Sequence, residues 1–293
     1  MTSGRAPDEV PGRAPGRSTG HEEARLVDLD GSDPHGGSVD VPGGRGAPFK
    51  AMILAAGRGQ RMRPLTDHTP KPLLAVHGKP LIEWHLDALA RSGVKEVVIN
   101  TAWREAQIVS ALGDGARWGL SIRYSMEGRD HGGALETAGG IAKALPLLAD
   151  HADDAFWLVS GDIFAPVFRF DSVAAQRFAE GDALAHLWLV PNPPFHPKGD
   201  FGLGADGLGL ADPADPASVG GASWTYANLA LCRPALCAHI APGTRAALGP
   251  LLFDAMRARR VTAEVYPGPW ENVGTPAQLD ALNRGPAPEA TRP

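Results

Sequence analysis

The chain has 293 residues, 43% of them hydrophobic, enough for a sizeable core, and its formal charge of −5 excludes the basic balance of a dedicated nucleic-acid binder. Two cysteines, Cys232 and Cys237, are too few for a disulfide scaffold and lack the partners of a zinc site, so they read as small core or surface thiols. No run approaches the roughly 20 apolar residues of a membrane helix, and no apolar signal-peptide core opens the chain, so a cytoplasmic protein with no membrane or nucleic-acid partner is expected.

Residues 1–48 are rich in Gly, Pro, Ser, Asp and Arg and have almost no aliphatic periodicity, the composition of a disordered tail. A folded domain is expected over 49–284 and a loose tail over 285–293. Lys50 to Ala55 is a short apolar run ending in glycines and reads as a buried strand. Pro80 to Ser92 reads as a helix, with proline in its first turn and Gly93 as its stop; Leu81, Ile82, His85, Leu86 and Leu89 share one face. Next come a strand to Asn100, a helix over 104–112, a strand over 121–125 and a helix over 136–145. A strand over 156–160 runs into Gly161-Asp162, and another spans 183–190. After a stretch rich in Gly, Pro and Asp, strands are expected at 226–231 and 262–266, and helices at 248–259 and 276–283. This alternation implies a mostly parallel sheet with right-handed crossovers. In such sheets ligands bind beyond the carboxyl ends of the strands, so the loops after Ala55, Ser125 and Ser160 are searched first.

The loop after the first strand reads Leu54-Ala55-Ala56-Gly57-Arg58-Gly59-Gln60-Arg61-Met62-Arg63-Pro64-Leu65-Thr66, followed by Thr69-Pro70-Lys71-Pro72-Leu73. Small residues let backbone N–H groups approach a ligand closely, and Arg58, Arg61, Arg63 and Lys71 offer cations to a triphosphate. The Gly-Lys-Ser/Thr of a P-loop is absent, and a dinucleotide fingerprint would need a small residue where Met62 stands. Asp162, just past a strand at the same sheet edge, offers the carboxylate that magnesium prefers alongside phosphate oxygens. The histidines show no metal-ligand spacing, and the tryptophans form no stacking platform along the chain.

This loop resembles, over about twenty residues without a gap, the signature of the sugar-1-phosphate nucleotidyltransferases. The resemblance implies a three-layer α/β/α, Rossmann-like nucleotidyltransferase (GT-A-like) fold with a mostly parallel central sheet. It also implies transfer of a nucleotidyl group from a nucleoside triphosphate to a sugar 1-phosphate, with Mg2+ as cofactor. Arg61 would activate the triphosphate, Lys71 would hold phosphate oxygens, and the backbone at Leu54, Ala55, Ala56, Gly57 and Gly59 would cradle the nucleotide. The segment Ala134-Leu135-Glu136-Thr137-Ala138-Gly139-Gly140 is similar to the base-recognising loop of the muramate-type uridylyltransferases, which implies UTP as donor and base contacts at Leu135, Gly139 and Gly140. The insertion Gly128 to Gly133 makes the link before that loop longer than usual.

Asp162 matches the family's magnesium-binding aspartate. Trp270-Glu271-Asn272-Val273-Gly274-Thr275-Pro276 resembles a closing motif whose aspartate is the second magnesium ligand; Asn272 stands there instead, an amide oxygen without charge. Gly199-Asp200-Phe201-Gly202-Leu203 resembles a muramate-type segment beside the sugar, giving Phe201 and Gly202 as sugar contacts, with Asn228 on a neighbouring strand and Lys198 a candidate for the acceptor phosphate. The implied reaction joins UTP to N-acetyl-α-muramic acid 1-phosphate in cell-wall recycling, by a monomer or small homo-oligomer. A mannose- or glucose-1-phosphate nucleotidyltransferase is the alternative enzyme, and a silent nucleotide-sugar-binding regulatory subunit the alternative of another class.

Overall fold

The computed structural model describes residues 49–288 apart from residue 213; the expected tail over 1–48 and the last residues of the chain lie outside them. Seven strands form the central sheet: β1 (Lys50–Leu54), β2 (Glu96–Thr101), β3 (Ser121–Met126), β4 (Phe156–Ser160), β5 (Ala185–Val190), β6 (Thr225–Cys232) and β7 (Val261–Val265). They lie in the order β7-β5-β6-β4-β1-β2-β3. All neighbours run parallel except β6, which is antiparallel to both β4 and β5. The inner strands are apolar on both faces because helices cover both.

On one face α1 (Leu81–Arg91), α2 (Glu105–Leu112) and α5 (Ser172–Glu180) bury Ile82, Leu86, Leu89, Ile108 and Phe178 against Ile53, Ile99, Trp157 and Val159. On the other, α4 (Glu136–Leu148) and α6 (Leu248–Arg257) bury Ile141, Leu252 and Met256 against Met52, Leu158 and Leu187. The result is a three-layer α/β/α, Rossmann-like fold with a mostly parallel sheet. Trp157 and Trp188 stack in this core with their ring centroids 5.2 Å apart, so they pack the interior and present no face to a base. Both cysteines are buried, and loss of solvation pushes the Cys237 thiol up to about 12.

Two helices depart from the expectation. The insertion after β3 is a one-turn helix, α3 (Glu127–His131), whose first N–H groups, those of Gly128 and Arg129, donate to the Glu105 carboxylate. Helix α5 begins at Ser172 with the Asp171 carboxylate accepting from Val173 N–H. A last helix, α7 (Pro276–Arg284), starts on a Thr275 cap.

Arg233, which follows β6, is buried and donates to the carbonyls of Asp153, Phe178, Ala179, Gly181 and Ala183 at 2.6–3.0 Å. Two of these belong to the last turn of α5, where carbonyls lack helical partners and a cation is favoured. Arg233→Ala removes a donor from all five, leaving Phe178 only the Gly181 N–H at 3.2 Å, and is expected to cost about 3 kcal/mol or more. Arg233→Lys recovers only part of the loss, because a point ammonium cannot match the guanidinium fork. Urea denaturation of the two variants checks both expectations.

Candidate active site

The carboxyl ends of β1, β2 and β4 open on one crevice, and the glycine loop lies along it as three short turns, Gln60–Met62, Leu65–Asp67 and Lys71–Leu73. Gly59 turns the chain with a φ of 62°, and a Cβ there would come within 2.9 Å of Thr66 Cγ2. Thr66 Oγ1 in turn donates to the Gly59 carbonyl at 2.8 Å. Met62 is fully buried with Val76, Leu81, Phe164, Val273 and Leu279. This inward anchor leaves its neighbour Arg61 exposed, with the guanidinium carbon 3.9 Å from where a Cβ on Gly274 would stand. From the loop after β2, Trp103 Nε1 donates to the Thr66 carbonyl at 3.1 Å and Arg104 Nε to that of Asp67 at 3.0 Å.

Of the four cations in the loop, two face the crevice. Lys71 is buried and donates to Asp162 Oδ2 at 2.7 Å, while Arg61 lines the larger of two cavities. Arg58 instead stacks over Trp103, 4.3 Å from the ring centroid, and Arg63 pairs with Asp67 at 2.6 Å. Both are satisfied locally, by an aromatic face and a carboxylate one turn away.

The two cavities adjoin along Leu54, Glu136, Thr137 and Ser160, which line both. The smaller, about 310 Å³, is bounded by Ala55, Ala56, Gly57, Lys71, Asn100 and Asp162. A Cβ on Gly57 would meet nothing within 4 Å, so its backbone is open to a ligand. The larger, about 710 Å³, is bounded by Arg61, Phe195, His196, Asp200, Phe201, Tyr226, Asn228, Trp270 and Asn272. Its floor is shaped by an irregularity in β6 between Tyr226 and Ala230, where Asn228 takes a φ of 57°. Trp270 Nε1 holds the Ala227 carbonyl at 2.9 Å, and Asp200 Oδ2 accepts from Tyr226 N–H at 2.8 Å.

Asp162 and Asn272 are brought together by a short antiparallel ribbon in which Asn272 pairs with Ile163 and Val273 N–H donates to the Asp162 carbonyl at 3.0 Å. Asn272 Oδ1 is buried without a hydrogen-bond partner. A buried acceptor left unpaired, on a ribbon whose backbone adjoins that of Asp162, fits a hard cation such as magnesium, which favours oxygen ligands. Glu271 lines neither cavity. Among the described residues no three His, Cys, Asp or Glu side chains are gathered for a metal, so magnesium there would take its remaining ligands from phosphate and water.

Several expected contacts are not where the sequence suggested. Leu135 has both backbone groups occupied, its N–H donating to Glu127 Oε2 at 2.7 Å and its carbonyl accepting from Ala246 N–H at 3.0 Å. Gly139 and Gly140 line neither cavity: Cβ atoms there would meet Thr244 O at 2.2 Å and Glu127 Oε1 at 2.5 Å, so these glycines permit close packing. Gly202 likewise faces away, where a Cβ would meet Asp212 O and Leu210 Cβ at 3.1 Å. Gly59 shapes the turn and lines neither cavity, as is also true of Lys198. Glu136 and Thr137, the first residues of α4, take the place of the glycines at the crevice, where first-turn N–H groups lack helical partners.

The sequence reading missed Asn100, Glu127, His196, Asp200 and Trp270. Asn100 carried a signal, since it is the polar end of an apolar strand; a buried lone glutamate such as Glu127 carries none.

A fold of this kind, with a cationic glycine loop facing a carboxylate across a crevice, defines a nucleotide-handling transferase. Residues 50–203 match the nucleotidyl transferase family, and the chain belongs to it. It is 48% identical to an N-acetylmuramate alpha-1-phosphate uridylyltransferase of Neisseria meningitidis serogroup B, over 79% of this chain and 95% of that protein. A protein of the same description from Caulobacter vibrioides is 33% identical over 81% of this chain and 97% of its own length. Among solved structures, a putative glucose-1-phosphate thymidylyltransferase from Bacillus anthracis, crystallised with a sucrose, shares the fold with a TM-score of 0.65 at 21% identity, covering 80% of this chain and 94% of that one.

His85 of α1 supports the ribbon from behind, its Nε2 donating to the Ile163 carbonyl at 3.0 Å, and burial holds its pKa down from 6.5 to about 4. The unfolded chain therefore binds a proton at His85 below pH 6.5, and the folded chain only below about 4. Folded-state stability falls as pH drops through that window, by about 3 kcal/mol from this group, and no further below it. His85→Gln keeps a donor to Ile163 and cannot titrate, so its stability between pH 7 and 4 is expected to fall less than that of the wild type in parallel urea titrations.

Proposed function

We propose that this chain transfers UMP from UTP to N-acetyl-α-muramic acid 1-phosphate, giving the UDP-sugar and pyrophosphate. The observation that carries the reading is the 48% identity across nearly the full length of the Neisseria uridylyltransferase. The geometry supports it, with a smaller cavity at the glycine loop, lined by Lys71 and Asp162, for the nucleotide, and an adjoining larger one, lined by Arg61 and Asn272, for the sugar.

In the reaction an acceptor phosphate oxygen attacks the α-phosphorus of UTP, and the bond to the bridging oxygen of the departing pyrophosphate breaks. The nucleophile is already anionic, so alignment and charge neutralisation are what the protein supplies. Arg61, held outward by the Met62 anchor, neutralises the leaving pyrophosphate. Lys71 holds phosphate oxygens from the buried side. Asp162 and the unpaired amide oxygen of Asn272 would hold magnesium, which when bound spreads the negative charge of the reacting phosphates. Phe201, packed on Phe253 at 5.5 Å between ring centroids, forms an apolar wall for the sugar, and Asn228 and His196 offer it polar groups. This reading brings with it cell-wall recycling in the cytoplasm; no described helix is long and apolar enough to cross a membrane.

Pyrophosphate release, measured across UTP, dTTP and GTP with N-acetylmuramic acid, glucose and mannose 1-phosphates, is expected to be fastest with UTP and the muramic acid derivative. A clear preference for another pair would transfer the assignment to that reaction; tight UDP-sugar binding with no release under saturating magnesium would mark a regulatory subunit. Arg61→Ala and Asp162→Ala are each expected to lower kcat by about 10²–10³-fold while remaining folded. Asn272→Asp restores a charge to the metal pair and is expected to lower the magnesium concentration for half-maximal rate.

A further inference from the structure

Behind the smaller cavity a chain of buried side chains joins the two loops that enclose it. Ala55 N–H, at the start of the glycine loop, donates to Asn100 Oδ1 at 2.8 Å; Asn100 Nδ2 donates to Glu127 Oε1 at 2.7 Å; Leu135 N–H, at the start of the base-side loop, donates to Glu127 Oε2 at 2.7 Å. Glu127 is 0% exposed and Asn100 2%. Gly140 makes the room, since a Cβ there would lie 2.5 Å from Glu127 Oε1 and 2.8 Å from Asn100 Nδ2.

The polarity of this chain requires one amide and one carboxylate across positions 100 and 127, in either order. Both terminal groups are backbone donors, so the middle must present acceptors to each end and a donor–acceptor pair between. Asn100 and the acceptor-only carboxylate of Glu127 meet that demand. A glutamine at position 127 does not: its amide nitrogen must face either the Asn100 amide or the Leu135 N–H, and flipping Asn100 to relieve the first conflict turns its nitrogen on Ala55 N–H. An aspartate at position 100 alone sets two carboxylates against each other. Both changes together restore every donor to an acceptor: the new carboxylate accepts from Ala55 N–H and from the new amide nitrogen, and the new amide oxygen accepts from Leu135 N–H.

We propose that Asn100 and Glu127 are positioning residues for the nucleotide: they fix the distance between the glycine loop and the base-side loop, so that the phosphates and the base of one bound molecule are met at once. The placement of phosphates and base in this statement rests on the function proposed above, whereas the coupling of the loops does not.

The test therefore has a ligand-free arm and a kinetic arm, on the full chain. Amide exchange at Ala55 and Leu135 is expected to be faster in Glu127→Gln than in the wild type, and to return to the wild-type rate in the double variant that combines Asn100→Asp with Glu127→Gln. With UTP, Glu127→Gln is expected to raise KM about tenfold, the loss of one charge-assisted hydrogen bond, with kcat within about twofold. Unchanged exchange at Leu135 in the single variant, or no recovery in the double, overturns the coupling. Faster exchange with an unchanged KM for UTP overturns the positioning role and leaves the relay purely structural. A wild type that turns over no UTP but does use another triphosphate overturns the donor assignment above, and the KM comparison is then made with that triphosphate.

Discussion

The ion pair between Lys71 and Asp162 is the contact on which the site turns. A buried ammonium is tolerated only with a partner at hydrogen-bonding distance, and Asp162 supplies it at 2.7 Å. Because Lys71 ends the glycine loop and Asp162 follows β4, the pair ties the loop from one strand to the end of its neighbour. Asp162 in turn begins the ribbon that carries Asn272, and Val273 of that ribbon packs on Met62 in the loop. The circuit closes on itself around the crevice that Arg61 and Asn272 line.

Glycine has distinct uses around this circuit. At Gly59 it permits a left-handed turn, at Gly57 it leaves backbone open to the crevice, and at Gly139 and Gly140 it lets α4 approach the segment at Thr244 and the Asn100–Glu127 pair. The loop beside the smaller cavity has much of its own backbone spent: Leu135, Ala138 and Gly139 all bond to Ala246. What remains free for a ligand is the first turn of α4 at Glu136 and Thr137, and Glu136 reaches it with a φ of 61°.

The larger cavity is built from less regular chain. Strand β6 runs against its neighbours, so its amino end reaches the crevice, and its bulge puts Asn228 on the cavity wall. The segment from 191 to 200 closes that cavity with Phe195, His196 and Asp200, while Asn272 adds a neutral oxygen that is buried and unpaired. As the magnesium ligand proposed above, a neutral oxygen would lower the fixed negative charge that an incoming triphosphate meets, at the expense of weaker hold on the cation.

The order of the strands, most of the helices apart from α3 and α5, and the glycine loop were legible in the chain's own pattern, while Asp162 and Asn272 were paired only through the resemblance. Each of these rests on local pattern: apolar runs broken by glycine, and short motifs whose spacing survives folding. The fate of individual polar atoms was not. Whether Arg63 serves a phosphate or Asp67, whether Gly139 touches a base or a carbonyl, and whether Glu127 is solvated or sealed beneath the cavity depend on which distant segments arrive beside them. Those arrivals are long-range: Ala246 reaches Leu135, and Glu127 reaches Asn100, only once β2, β3 and α4 have packed together. Sequence therefore determined which chemistry the crevice could hold, and tertiary packing decided which of its groups were left free to perform it, because a hydrogen-bonding group already satisfied by the fold is no longer available to a ligand.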